Sequence, residues 1–412
     1  MSVPDMLRCL VQLTGRACHI ARAVRSEPEL LRLLVEEKKG ATKNDRFSHD
    51  FKSIADVLIQ EMVRHELEAK FPGIAGSVYG EESNKFTASS GECVIVAVDG
   101  NQARLTESLK SILNGNQVAA QILSDVVYDV SKQDDDIDLT GVPNEPLQPE
   151  RLGVWIDPID ATNTYIKPDA KKPHPNANRG TTHIQRSGLE CVTVLIGLFD
   201  KVTKAPVLGV VGKPFIPNSG HVDTTVGDSI LNDIFHGCYW GSVPGNAVCA
   251  KTVLANQRIS ALRPPSLEDP LTIVISGSEA ETPLVRKLHE AGCQIAYATG
   301  AGYKQLCVIL GLADAYILMK PTCYQWDTCG PHAILKAAGG GVVRFHDALK
   351  LAPVFQKSHI PSNELNQLLN SIELTYDAKV DCMVESTYAN RSGIIAYRSQ
   401  DRLIRILSIL AN

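Results

Sequence analysis

Residues 152–162 read Leu152-Gly153-Val154-Trp155-Ile156-Asp157-Pro158-Ile159-Asp160-Ala161-Thr162. The apolar run from Leu152 to Ile156 reads as the end of a buried strand. Pro158 has no backbone N–H, so strand pairing is expected to stop there. Asp157 and Asp160 are then set on a strand-to-helix turn, with the Thr162 hydroxyl two residues further on. With the Ile159 carbonyl free between them, the two carboxylates form an oxygen-rich cup suited to a hard divalent cation such as Mg²⁺. The N–H groups of Ala161 and Thr162 would open the next helix, where a phosphate binds well. Metal ligands and a phosphate cradle in one turn point to metal-assisted phosphate chemistry. In isolation a D-x-x-D pair is more often a helix N-cap beside a solvated acid, so the reading depends on partners elsewhere in the chain.

Such partners exist. Gly80-Glu81-Glu82-Ser83-Asn84 follows the amphipathic stretch 55–70, the turn Phe71-Pro72-Gly73 and the apolar pair Val78-Tyr79. Adjacent glutamates at that place are costly to bury without a cation, although a solvated acidic turn would look the same. Trp326-Asp327-Thr328-Cys329-Gly330-Pro331-His332 places Asp327 where an N-cap belongs, before a helical run that ends at Gly339-Gly340-Gly341. Asp56 is the lone acid among Ile54, Ala55, Val57 and Leu58 on a predicted helix, so it faces either water or the site.

The chain has 412 residues, enough for a large core in one unit or two closely packed ones. A net charge of −5 argues against nucleic acid as the main partner, so a polyanionic ligand must be met by local cations and metal. Eleven cysteines without a C-x-x-C pair read as reduced thiols in a cytosolic or nuclear setting. Cys323 and Cys329 flank Asp327, but hard cations prefer oxygen. No apolar run approaches the roughly 20 residues of a membrane span.

Spacing predicts helices over about 4–37 and up to about 69, a strand ending at Glu81, a strand over Val94–Asp99, and helices near 102–114 and 116–130. Residues 133–150 and 167–188 read as polar loops, the second carrying Lys167, Lys171, Lys172 and Arg186. Strands follow at Cys191–Phe199 and Val207–Val211. A Pro-rich stretch near 252–270 opens a second lobe, so the lobes are set at 1–262 and 263–412. Strands alternating with helices favour α/β layers.

Glycine-Glu-Glu-Ser, then Asp-Pro-Ile-Asp-x-Thr, then Trp-Asp before a late helix, in that order, resembles the lithium-sensitive, Mg²⁺-dependent phosphomonoesterase superfamily of inositol monophosphatase, fructose-1,6-bisphosphatase and the bisphosphate nucleotidases. Further matches run through most of the chain, among them Leu189-Glu190-Cys191-Val192-Thr193, Ala301-Gly302-Tyr303-Lys304 and Ile395-Ala396-Tyr397-Arg398-Ser399. The long connection between Glu81 and Asp157 is similar to that of the branch acting on inositol polyphosphates. The resemblance implies a five-layer α-β-α-β-α sandwich, two or three Mg²⁺, inhibition by Li⁺, and a monomer that removes the 1-phosphate from inositol 1,4-bisphosphate and inositol 1,3,4-trisphosphate. A 3′(2′),5′-bisphosphate nucleotidase with the same metal centre is the alternative.

The resemblance also implies roles. Glu81, Asp157 and the Ile159 carbonyl would hold one metal, and Asp157, Asp160 and Asp327 a second, with Glu82 outside them. Thr162 would hold the attacking water, its hydroxyl oriented by Asp56. Ser278, Glu279 and Ala280 resemble the substrate-binding turn, Ala280 standing where the family often has Lys. Gly300, Ala301 and Lys304 would approach the ligand, Lys304 as a cation beside the inositol ring or a second phosphate. Ala161 stands where relatives carry Ser.

Overall fold

The computed structural model describes residues 1–26, 31, 34–37, 51–130, 137, 139, 142, 144–168, 184–215, 239–242, 249–252, 269–355, 360–377 and 388–411. In chain order the first part supplies α1 (Val3–Ser26), β1 (Val35–Glu37), β2 (Phe51–Ser53), α2 (Ile54–Lys70), β3 (Val78–Gly80), β4 (Lys85–Thr87), β5 (Cys93–Ile95), α3 (Gln102–Ile112) and α4 (Gln117–Tyr128). It continues with β6 (Leu152–Asp160), the short α5 (Thr162–Ile166), β7 (Thr193–Asp200), β8 (Pro206–Gly212), β9 (Tyr239–Ser242) and β10 (Cys249–Thr252). The second part adds β11 (Thr272–Ile275), α6 (Pro283–Glu290), β12 (Gln294–Tyr297), α7 (Ala301–Ile309), β13 (Ala315–Leu318) and α8 (Gln325–Ala337). It ends with β14 (Gly341–Arg344), α9 (Phe345–Phe355), α10 (Ser362–Ile372), β15 (Ile394–Tyr397) and α11 (Gln400–Ala411).

Two large sheets organise these elements. The first has the order β10-β9-β8-β7-β6-β3, antiparallel except where β3 runs parallel to β6. The second has the order β12-β11-β13-β15-β14 and is parallel across β12, β11 and β13. Helices α1 and α2 cover the outer face of the first sheet, α7 and α8 lie between the sheets, and α6, α9 and α11 cover the outer face of the second. The succession is α-β-α-β-α, as the family resemblance implied.

Layering explains the sequence pattern. A sheet covered by helices on both faces needs apolar side chains on both. Every residue of β6 is accordingly buried. Along β7 the alternation is strict: Val194, Ile196 and Leu198 join the outer core with α1 and α2, while Leu195 and Phe199 join the inner core with α7 and α8.

Three glycines bring α8 against the first sheet. Gly197 and Gly209 face each other across β7 and β8, and a Cβ on either would lie 2.2 Å or 2.0 Å from the backbone of Gly330. Side chains there would push the helix outward.

Two expectations are corrected. Of the one or two helices expected over residues 4–37, α1 ends at Ser26, and the end of that range, Val35–Glu37, instead forms an antiparallel pair with Phe51–Ser53. Glu36 lies opposite Lys52 in that register, and the two make a 3.5 Å ion pair that favours strand pairing over a helical turn. The strand foreseen over Val94–Asp99 is the shorter Cys93–Ile95. The boundary expected between 262 and 263 lies outside the described residues, as do Lys171 and Lys172.

Candidate metal and phosphate site

The D-P-I-D stretch is a β-bulge. Asp157 pairs with Leu195 and Asp160 with Thr193, so three steps on β6 match two on β7. Pro158 therefore does not end the strand, as the sequence had suggested. It sits inside the bulge, where a missing N–H removes no ladder bond, and pairing resumes at Asp160. Ala161 then turns the chain with φ 69° and ψ 42°, a left-handed conformation that costs a non-glycine residue roughly 1–2 kcal/mol.

Asp157, Asp160 and Asp327 are all buried, and each offers a carboxylate oxygen such that the three lie within 4.8 Å of one another. Asp157 has only 2 % of its surface exposed, and its Oδ1 is buried without a hydrogen-bond partner. Burial and the charges of Glu81, Asp160, Asp327 and Asp56 push its carboxyl well above the usual range. Asp327 is pushed up to about 8 by burial and by the charge of Asp160. Like charges in low dielectric oppose ionisation, and an orphaned buried carboxylate oxygen is costly. The donor set is all oxygen, anionic and converging, so it fits a hard divalent cation.

Local structure explains how such a cluster is held. Asp327 is not an N-cap. Tyr324 is the N-cap of α8, and Asp327 stands at the third helical position, where its Oδ2 accepts the Tyr324 N–H at 2.5 Å. Asp56 uses the same device in α2: its Oδ2 accepts from both the N–H and the hydroxyl of Ser53, each at 2.7 Å. Asp160 faces the start of α7. Its Oδ1 accepts the Ala301 N–H at 3.1 Å, and its Oδ2 accepts the Gly302 N–H at 2.9 Å and the Thr193 hydroxyl at 3.1 Å. Three helix N-termini thus meet the acids, and their partial positive charge offsets some of the repulsion.

The glutamates come from the neighbouring strand. β3 runs beside β6, and the Glu81 N–H extends that pairing to the Ile156 carbonyl at 3.3 Å. Glu82 is buried, and its N–H donates to Gln60 Oε1 at 2.9 Å while its carbonyl accepts from the same amide group. Asp56 is fully buried; desolvation and the charges of Glu82 and Glu81 raise its carboxyl, and its Oδ1 has no hydrogen-bond partner.

Several expected contacts are redrawn. The Thr162 hydroxyl donates to the Ile159 carbonyl at 2.9 Å, and neither group is free in the way expected. The Asp56–Thr162 hydrogen bond is absent, because the hydroxyl proton is committed to Ile159 and Asp56 is held by Ser53. Gly300, at φ 78°, lets the backbone reach Asp160: a Cβ there would lie 2.8 Å from Asp160 Oδ2. Lys304 is buried, with Nζ 3.4 Å from the Ala298 carbonyl and 5.0 Å from the Tyr316 ring centre. Its charge favours ionised Asp160. Glu279 is also buried and accepts the Met319 N–H at 3.1 Å, while Ser278 is exposed and Ala280 half-buried.

Sequence reasoning missed Gln60, Thr193 and Gln305. Gln60 follows Asp56 by one helical turn, and that spacing was the available signal. Thr193 closes the matching stretch 189–193, which gave it no role, and nothing local marked Gln305.

Among the described residues no helix is long and apolar enough to cross a membrane. The chain is 39 % identical to inositol polyphosphate 1-phosphatase of Mus musculus, covering 98 % of this chain and 97 % of that protein. The Homo sapiens protein of the same name is 38 % identical over the same shares. This chain is also 26 % identical to 3′(2′),5′-bisphosphate nucleotidase 1 of Mus musculus, over 48 % of its length and 52 % of that protein. The inositol monophosphatase family pattern matches residues 5–401. With near-complete coverage on both counts, the chain belongs to the inositol monophosphatase family and is a phosphoric monoester hydrolase.

Proposed function

We propose that the protein is a Mg²⁺-dependent, Li⁺-inhibited phosphatase that removes the 1-phosphate from inositol 1,4-bisphosphate and inositol 1,3,4-trisphosphate. The convergence of Asp157, Asp160 and Asp327 carries the reading. Those three acids would hold the metal, with Glu81 and the second lone pair of the Ile159 carbonyl completing the ligands. When bound, Mg²⁺ supplies Lewis-acid polarisation of the phosphoryl oxygens and lowers the pKa of water.

The chain's own groups supply position. With its proton given to the Ile159 carbonyl, Thr162 Oγ1 is left as an acceptor. An acceptor is what an attacking water needs, since it fixes one water proton and aims a lone pair at phosphorus. The Thr162 N–H lies in the first turn of α5, where no intrahelical acceptor exists for it, so it is suited to a phosphate oxygen. No nucleophilic Ser or Cys is required.

The near full-length likeness to inositol polyphosphate 1-phosphatases supports this substrate over a nucleotide. The nearby rings of Tyr79, Trp155, Tyr324, Trp326 and Tyr388 pack on one another, with Tyr324 and Trp326 stacked at 4.7 Å. Phosphate release should be measured with inositol 1,4-bisphosphate, inositol 1-phosphate and adenosine 3′,5′-bisphosphate, with and without Mg²⁺ and Li⁺. Release chiefly from the first, dependent on Mg²⁺ and suppressed by Li⁺, is expected. Preference for the adenosine compound, or release in EDTA, would overturn the proposal.

A further inference from the structure

We propose that Gln305 is a positioning residue that fixes the spacing of Asp160 and Asp327, an inference that rests on the metal-site reading above. Gln305 is fully buried on α7. Its Nε2 donates to the Ala301 carbonyl at 3.2 Å and to the Asp327 carbonyl at 2.8 Å. Its Oε1 is buried without a partner, so the side chain serves as a donor.

The two carbonyls lie in the first turns of two different helices. Ala301 opens α7, whose first N–H groups grip Asp160. Asp327 lies in the first turn of α8 and carries the facing carboxylate. One amide group therefore ties the turn that holds one acid to the turn that bears the other.

The reason for a donor at this point is in the sequence. The helical partner of the Asp327 carbonyl would be the N–H four residues on, and that residue is Pro331. Proline leaves the carbonyl without its donor, and Gln305 supplies one from the neighbouring helix. The acids repel each other, so something other than their own attraction must hold them at ligand spacing. A lysine or arginine could bridge the helices, but its charge would compete with the cation. A neutral amide bridges without competing.

The experiment uses the full chain with Mn²⁺ as a spectroscopic probe, alongside thermal melts in EDTA and Mg²⁺-dependent turnover. Wild type is read first: if it binds no Mn²⁺, the metal-site reading fails and Gln305 is not the cause. Gln305→Met keeps the length of the side chain and removes the donor. It should raise the Mn²⁺ dissociation constant and the Mg²⁺ requirement about tenfold, the usual scale for an outer ligand-orienting partner. KM for substrate at saturating metal should change little, and the EDTA melt should fall modestly, because the Asp327 carbonyl loses its donor. Gln305→Met with Pro331→Ala gives the Asp327 carbonyl a helical donor again without restoring the tie between helices. Metal affinity should stay weak in that pair. Recovery to the wild-type value would mean that Gln305 only satisfies a carbonyl, and would overturn the proposal. If Gln305→Met does not fold, Gln305→Asn decides alone, because the shortened amide cannot reach both carbonyls: wild-type Mn²⁺ affinity in that variant overturns the proposal, and weakened affinity in a folded protein upholds it.

Discussion

Helix α8 carries two charged clusters that differ in kind. Its first turn presents Asp327 to Asp157 and Asp160, acid against acid. Further along, fully buried His332 contacts Tyr376 Oη at 3.0 Å through Nδ1 and Glu373 at 3.2 Å through Nε2, and Lys336 meets Glu373 at 2.7 Å. The second cluster is internally balanced. His332 and Lys336 hold the Glu373 carboxyl down to about 2 despite its burial, while Asp327 is driven up to about 8. A fold can bury charge cheaply when it supplies the opposite charge alongside. The acid cluster does this only at Asp160, through Lys304, and leaves Asp157 and Asp327 among like charges; such burial is characteristic of a place that awaits a ligand.

The sharpest way to break the comparison is to neutralise one acid in each cluster. Asp157→Asn should abolish turnover, by at least about a thousandfold, because several kcal/mol of transition-state charge stabilisation disappear with the metal site. The same change should raise the melting temperature of the metal-free protein, since it removes repulsion. Turnover assays and melts in EDTA check both; a folded variant with near-normal kcat would remove Asp157 from the machinery.

The pH dependence of stability should separate the clusters next. Asp327 has a raised folded value, so between the ordinary carboxylate value and about 8 the folded state binds more protons than the unfolded one. Stability of the metal-free protein therefore falls as pH rises through that window. Glu373 has a depressed value, so its contribution is present above pH 4.5 and is lost as pH falls toward 2. Melts in EDTA from about pH 6 to about pH 9 should slope downward, and saturating Mg²⁺ should flatten the slope by replacing protons at the acids.

The smallest effect belongs to Glu373→Gln. It should cost about 1–3 kcal/mol of stability by weakening charged hydrogen bonds, with turnover unchanged. A denaturant titration beside an activity assay reads both quantities. A large loss of activity would show that the balanced cluster also sets the acids' geometry.

Sequence reading went furthest where chemistry is written in side-chain type. The acids at 56, 81, 157, 160 and 327 stand out because carboxylates are rare inside apolar runs. The layered fold was legible from alternating strands and helices, and the order of the layers from family resemblance. What could not be read depends on three-dimensional partners. The pairing of Asp160 with Thr193 required the β6–β7 register. The burial of Lys304 and Glu279 required the packing of α7 and of the end of β13. Pro158 reads as a strand terminator, because a lone sequence does not reveal a bulge that tolerates it.

The meeting of Gly197, Gly209 and Gly330 has a consequence for how this enzyme can vary. These residues carry no functional group, yet their bare backbones set the height at which α8 rides above the sheet. Asp327 lies one helical turn from Gly330, so a single methyl at this contact would lift a metal ligand without altering any residue of the metal cup. Turnover is thereby hostage to three hydrogen atoms one turn along the same helix face, and a survey of inactivating changes confined to acids and hydroxyls would overlook them.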